Sequence, residues 1–211
     1  MKTLYKHIHL VIDDKREYLD GSILINDGII EDVFVQSNKS FDDVNEIDMN
    51  GKIFIPKFFD SNKKDSTLFM DPLSKINESA KAINDITVST IIDFNSDKGI
   101  NYAFSNKYYV EFGIDDSLKN EYITFILKNI NSDKLLLINK NHDDIYKQIK
   151  RLISLGVSLT NIVAMTSINF FNLYGNSKQD GYLIKGKPAD IVCLDENFNK
   201  VFEMTKGEKD A

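Results

Sequence analysis

The chain has 211 residues, of which 42% are hydrophobic and 27% are charged, and its formal net charge is −6 at pH 7. This composition predicts a globular protein with a core, and it excludes a disordered chain and the basic surface that nucleic-acid binding requires. No apolar run in the sequence approaches the ~20 residues that a membrane-spanning helix needs, and Cys193 is the single cysteine. We therefore expect a cytoplasmic protein that has neither a nucleic acid nor a membrane as its partner.

The first third of the chain predicts β-strands joined by tight turns. Asp27-Gly28 lies between two apolar segments and is a strong hairpin signal, and Asn50-Gly51 predicts a second turn. The predicted strands are Tyr5–Ile12, Ser22–Asn26, Ile29–Val35, Ile47–Asp48 and Ile53–Phe59.

The middle of the chain predicts alternating helices and strands. Continuous or β-branched apolar runs favour buried strands, whereas apolar residues at helical spacing favour helices. Gly156 is a good helix C-cap, and Ser158 is a good N-cap for the next helix. The predicted strands are Val88–Phe94, Tyr108–Phe112 and Leu135–Asn139, and the predicted helices are Pro72–Asn84, Ser117–Ile130, Asp143–Leu155 and one from Ser158 to just before Gly175.

The last third returns to short strands, which are predicted at Tyr182–Ile184, Asp190–Asp195 and Lys200–Met204. The overall order is therefore a β-rich segment, then alternating β and α elements, then a second β-rich segment.

Several strings resemble segments of a known protein superfamily. The strings GYLIKGKPADIVCLD (Gly181 to Asp195) and IDMNGKIFIPKFFD (Ile47 to Asp60) resemble, respectively, the closing segment of the amidohydrolase superfamily and its entry into the barrel. Within the superfamily, SLTNIVAMTSINFFNLYG (Ser158 to Gly175) is similar to the last helix of the N-acetylglucosamine-6-phosphate deacetylase family. NEYITFILKNINSDKLLLIN (Asn120 to Asn139) is similar to the stretch before that family's catalytic aspartate.

The resemblance implies a (β/α)8 barrel and a small β-sandwich that is built from both chain ends. A whole barrel takes about 250 residues, and residues 58–179 amount to about half of that length. We therefore expect an α/β fold with two parts. Residues 1–57 and 180–211 would form the composite β-sandwich domain, and residues 58–179 would form a truncated, half TIM-barrel-like β/α layer.

The family's reaction is the metal-dependent hydrolysis of the N-acetyl group of an amino-sugar phosphate. By resemblance, Asp60 matches the aspartate that precedes the metal-binding histidines, but Asn62 and lysines occupy the histidine positions. Glu111 in YYVEFG matches a metal-binding glutamate. Asn139 falls at the position of the catalytic aspartate, and an amide cannot accept a proton at neutral pH. These replacements predict a protein that holds no metal cofactor and is non-catalytic.

Other reactive side chains have simpler interpretations. His7-Ile8-His9 precedes any barrel strand and has no third ligand close in sequence, so we expect surface or cross-strand packing for it. His142 stands just before a predicted helix start, which favours a capping role. Cys193 lies in a predicted strand and is expected to be a small buried hydrophobic residue.

Three hypotheses about function follow from the sequence. The leading hypothesis is a non-catalytic, shortened relative of the deacetylases, with an amino-sugar phosphate as its possible ligand. The first alternative is an active hydrolase whose rearranged site uses Asp60, Glu111 and His142 with a divalent metal of the zinc or iron type. The second alternative is a binding or assembly module, and we expect a homodimer because half a barrel leaves open sheet edges.

Overall fold

A computed structural model describes residues 2–35, 41–59, 110–114, 119–137, 145–174 and 181–209. Its body is an eight-stranded sheet with neighbouring strands in the order β10-β9-β8-β5-β1-β2-β3, and β4 is paired with β1. The strands of this sheet are β1 (Lys2–Val11), β2 (Glu17–Asn26), β3 (Ile29–Val35), β4 (Asn45–Asp48), β5 (Ile53–Pro56), β8 (Ile191–Leu194), β9 (Lys200–Thr205) and β10 (Glu208–Lys209).

The first strand changes its parallel partner along its length. Its beginning pairs with β4, whereas His9 and Leu10 pair with β5. The change occurs at His7, whose φ of 52° lies in the left-handed region, and the pairing with β2 shifts its register there. The His7 carbonyl accepts a 2.7 Å hydrogen bond from the N–H of Gly51 in the turn between β4 and β5. A bulge of this kind lets one strand pair with two shorter strands in succession.

The two chain ends meet in this sheet, as the sequence predicted. β5 runs antiparallel to β8, with Ile53 opposite Leu194 and Pro56 opposite Ile191. Phe54 and Cys193 are also paired across these strands, and both are fully buried. Neither chain end therefore completes this core without the other.

The structure corrects the prediction at three places. The strand predicted at Ile53–Phe59 ends at Pro56, and it lies in the large sheet between β1 and β8. Tyr182–Ile184 is not a strand: the Leu183 N–H binds the carbonyl of Ile12, and the chain then turns so that the Lys187 N–H binds the carbonyl of Ile184. The short strand β10 was not predicted, because two charged residues carry no apolar pattern.

A second, smaller layer contains a parallel pair of strands and the helices. The strands are β6 (Val110–Phe112) and β7 (Leu135–Leu137), and the helices before and after β7 are α1 (Asn120–Asn129) and α2 (Ile145–Ser154). β7 is buried along its whole length, and its core partners include Ile123 and Ile126 of α1 and Ile149 and Leu152 of α2. The predicted strand Val88–Phe94 and helix Pro72–Asn84 lie outside the described residues.

The helix predicted from Ser158 contains an interruption that the sequence did not indicate. The Ser158 hydroxyl caps its first turn by accepting a 3.3 Å hydrogen bond from the Asn161 N–H. The helix then runs as α3 (Leu159–Val163), a π-helical segment (Ala164–Ile168) and α4 (Asn169–Tyr174). Across the described ranges, every helix is too short or too polar to cross a membrane.

Candidate functional site

The carboxyl ends of β6 and β7 lie side by side, because the two strands are parallel and Phe112 is paired with Leu137. In β/α proteins this edge of the sheet is where ligands bind. Glu111 lies on β6 opposite Leu136, so one of the predicted site residues belongs to this edge. Asp60, Asn139 and His142 lie outside the described residues.

The chain that leads to Asp60 is fixed against the π-helical segment. The Phe59 N–H donates a 2.9 Å hydrogen bond to the carbonyl of Thr166 within that segment. The Phe59 ring stacks on Phe170 at a centroid distance of 4.7 Å and meets the ring of Phe171 edge-on at 5.9 Å. A π turn shifts the hydrogen-bond pattern of a helix by one residue, and here a carbonyl in that turn bonds to a neighbouring segment. The helix thereby fixes the chain at Phe59, the last described residue before Asp60.

Two buried polar side chains fix the backbone next to β6 and β7. The Asn169 side-chain amide donates 2.7 Å hydrogen bonds to the carbonyls of Ser132 and Leu135, which fixes the start of β7. The Gln148 Oε1 accepts a 3.0 Å hydrogen bond from the Ile114 N–H just after β6. Sequence reasoning missed both residues, although a polar residue between apolar positions of a core-facing helix was an available signal.

The histidine pair near the amino terminus serves the sheet and not this edge. His7 Nδ1 lies 3.2 Å from an Asp20 carboxylate oxygen, and His9 Nε2 lies 2.7 Å from Glu17 Oε2. Both acids are on β2, the neighbouring strand, so the interpretation as cross-strand packing is correct. The whole chain has three histidines. Only His142 therefore remains for a site at the carboxyl ends of β6 and β7.

The described residues do not fit a zinc or iron site. Across the described ranges, no three side chains of His, Cys, Asp or Glu converge in a way that could hold a metal ion. Cys193 is fully buried, and burial raises the pKa of its thiol to about 12, an effect that Lys209 and Lys52 only partly offset. A metal ligand must be a thiolate, so Cys193 behaves as the buried hydrophobic residue that the sequence predicted.

The chain is similar in structure to solved deacetylases. N-acetylglucosamine-6-phosphate deacetylase from Pasteurella multocida superposes with a TM-score of 0.78 at 10% identity, and the match covers 100% of both chains. The deacetylase from Mycobacterium smegmatis gives 0.73 at 11% identity over 99% of this chain and 100% of that one. A beta-aspartyl dipeptidase from Fervidobacterium islandicum gives 0.67 at 11% identity, covering 99% and 96%.

No protein-family model and no curated protein sequence matches the chain. The likeness is therefore one of structure, and it agrees with the strings at both chain ends that resemble the amidohydrolase superfamily. The chain has the mixed α/β fold of the N-acetylglucosamine-6-phosphate deacetylases.

Proposed function

We propose that the protein is a non-catalytic relative of the N-acetylglucosamine-6-phosphate deacetylases that keeps their fold without their hydrolytic chemistry. The observation that carries this proposal is the placement of the histidines. Two of the three histidines in the chain pair with Asp20 and Glu17 on the large sheet. A hydrolytic zinc site generally takes three protein ligands, of which histidine is the most frequent. A single remaining histidine is a poor basis for such a site.

The replacements at the family's motif positions support the same proposal. Asn62 stands where a histidine would bind the metal, and Lys63 and Lys64 place positive charge beside it. An amide is a weak ligand for a zinc-type ion, and ammonium groups repel one. Asn139 stands where a carboxylate would accept the proton from water, which an amide cannot do. Metal binding and proton transfer would thus both be lost.

The remaining role that suits this chain is binding. An amino-sugar phosphate is the ligand class that the fold suggests, and it would bind at the carboxyl ends of β6 and β7.

We also propose that residues 58–179 form a truncated, half-barrel layer, and that residues 1–57 and 180–211 form a composite β-sandwich domain. The lone buried thiol suits a reducing compartment, and we propose a cytoplasmic location on that basis.

Metal content and turnover test the proposal together. The protein, purified without chelator, is analysed for zinc and iron and is then incubated with N-acetylglucosamine 6-phosphate while acetate release is measured. We expect substoichiometric metal and no acetate above the blank. Stoichiometric metal, with turnover that the substitution Glu111→Gln abolishes, would overturn the proposal in favour of the rearranged site formed by Asp60, Glu111 and His142. Calorimetry with the same sugar phosphate tests binding independently of hydrolysis.

Self-association is a second candidate function, and an observation on the smaller layer favours it. Within the described ranges the β6–β7 sheet has two strands, so each strand has one side without a strand partner there. Such edges recruit other chains unless something covers them, and a symmetric pair is the commonest arrangement. We therefore propose a homodimer. Light scattering after size-exclusion chromatography should give the mass of a dimer, and a monomer that persists at high micromolar concentration would contradict it.

A further inference from the structure

A cavity of about 380 Å³ opens at the amino end of β7, between α1 and the start of α3. Leu135, the first residue of β7, lies in its floor together with Ile130 and Met165, and all three side chains are buried. The candidate site described above lies at the carboxyl end of the same strand. The cavity is therefore a separate place on the molecule, and it is large enough for a small organic ligand.

The polar rim of this cavity supplies hydrogen-bond donors. The Ser132 hydroxyl donates a 2.9 Å hydrogen bond to the side-chain carbonyl oxygen of Asn161. This bond orients the amide of Asn161, and its NH₂ group has no acceptor within the part of the chain that the structure describes. Lys128, an exposed residue in the last turn of α1, also lines the cavity and forms no ion pair or hydrogen bond with the described residues. Lys128 and Asn161 thus line the same cavity, and the side-chain donors of both have no acceptor among the described residues.

The charge of the lining indicates which ligands it favours. Among the described residues that line the cavity, Lys128 is the one ionisable residue, so this part of the lining carries a single positive charge. A monoanion balances this charge, whereas an amine would be repelled by it. The buried floor is apolar, so the ligand should combine one anionic head with a short apolar body.

We infer that this cavity binds a small organic carboxylate, with the carboxylate at Lys128 and Asn161 and the apolar body on Leu135 and Met165. Lys128 supplies a charge-assisted hydrogen bond, which is roughly twice as strong as a neutral one. This site is independent of the proposed function, because it uses no residue of the carboxyl edge. A loss of ligand binding at that edge would leave it unaffected.

The experiment uses hexanoate as the probe and hexanamide as its neutral counterpart. Each is titrated into the full-length ¹⁵N-labelled protein, and the backbone amide signals of Gly156 and Asn161 report on the cavity. We expect hexanoate to shift these signals at a Kd at least about tenfold lower than that of hexanamide, because the charge-assisted bond is lost with the amide. The absence of shifts at millimolar hexanoate, or equal affinity of the two probes, would overturn the inference.

Two lysine variants separate this site from general attraction of anions to the surface. Lys128→Gln removes the charge that the inference invokes, and it should weaken hexanoate binding about tenfold while leaving the thermal midpoint unchanged. Lys147→Gln is the matched control, since Lys147 lies exposed on α2 and does not line the cavity. Hexanoate should bind this control as it binds the wild type. If Lys128→Gln also keeps the wild-type affinity, the carboxylate does not bind at Lys128 and the inference is wrong.

Discussion

Tyr146 donates a 2.5 Å hydrogen bond from its phenol oxygen to Glu203 Oε1, and this bond connects helix α2 with strand β9 of the large sheet. The other carboxylate oxygen of Glu203 lies 3.3 Å from the ammonium group of Lys57, which also donates a 2.7 Å hydrogen bond to Thr205 Oγ1. Phe58 packs against the ring of Tyr146 at a centroid distance of 5.6 Å. These contacts fix the helical layer to the sheet just after β5.

Removing the phenol oxygen should therefore weaken the connection between the two layers. We expect Tyr146→Phe to lower the free energy of unfolding by about 1 kcal/mol, since the Glu203 carboxylate loses a hydrogen bond while the ring still packs on Phe58. Urea denaturation of Tyr146→Phe, of Glu203→Gln and of the double variant gives the coupling between the two residues. A coupling of about 0.5 kcal/mol or more is expected for groups in contact. Strictly additive effects would show that the bond contributes nothing in solution.

The same carboxylate should make stability depend on pH. Burial alone would raise the pKa of Glu203, but the hydrogen bond from Tyr146 and the charges of Lys57 and Lys200 hold it below its usual value. A group whose pKa is lower in the folded state stabilises the fold above its unfolded pKa of about 4.3, and this contribution is lost as the pH falls through the folded pKa. The stability difference between the wild type and Glu203→Gln should thus shrink between about pH 5 and pH 3. A difference that does not change over this range would contradict the assignment.

The elements that were predicted correctly are those that local chemistry specifies. Asp27-Gly28 adopts positive φ angles of 47° and 81°, as a two-residue hairpin turn between β2 and β3 requires. Ser158 caps its helix through a contact three residues away. The assignments of Asn62 and Asn139 to motif positions lie outside the described residues and stay predictions.

The elements that were missed depend on contacts between distant segments. Tyr146 and Glu203 are 57 residues apart, and neither sits in a pattern that predicts its partner. The π-helical segment is stabilised where the Thr166 carbonyl meets the Phe59 N–H, a contact that no local periodicity encodes. Tyr182–Ile184 is a short apolar run like a strand, but the sheet position beside β5 is occupied by β8. In each of these three examples, the local structure depends on a contact with a segment that is distant in the sequence.

Removing the carboxyl-terminal strands should unfold the amino-terminal ones. Deletion of residues 181–211 leaves β5 without its antiparallel partner β8 and exposes Phe54, which is fully buried in the intact chain. We expect loss of the cooperative thermal transition by circular dichroism and rapid proteolysis of residues 1–57. The remaining strands would lack the core contacts that β8 and β9 supply, and strands without such contacts are only marginally stable. Deletion of Asp210 and Ala211 alone serves as the control and should leave the transition in place. A truncated protein that melts cooperatively and resists protease would show that the amino-terminal strands fold without β8.

Alanine substitutions at two glycines should distinguish the cost of backbone strain from the cost of a steric clash. Gly28 and Gly51 have similar φ angles, 81° and 76°, so alanine is strained to a similar degree at either position. A Cβ at Gly51 would meet no heavy atom within 4 Å, whereas a Cβ at Gly28 would lie 2.0 Å from the carbonyl oxygen of Lys206, in the turn between β9 and β10.

Gly51→Ala should therefore lower the free energy of unfolding by about 1–2 kcal/mol, the strain of the left-handed conformation alone. Gly28→Ala should cost about 1–3 kcal/mol more, because the turn at Lys206 must move. That turn is also tied to Gly28 through Ala189, whose N–H binds the Gly28 carbonyl at 2.8 Å and whose carbonyl accepts from the Gly207 N–H at 3.1 Å. Urea denaturation of both variants measures the two costs, and equal costs would mean that the turns of the two chain ends do not touch in solution.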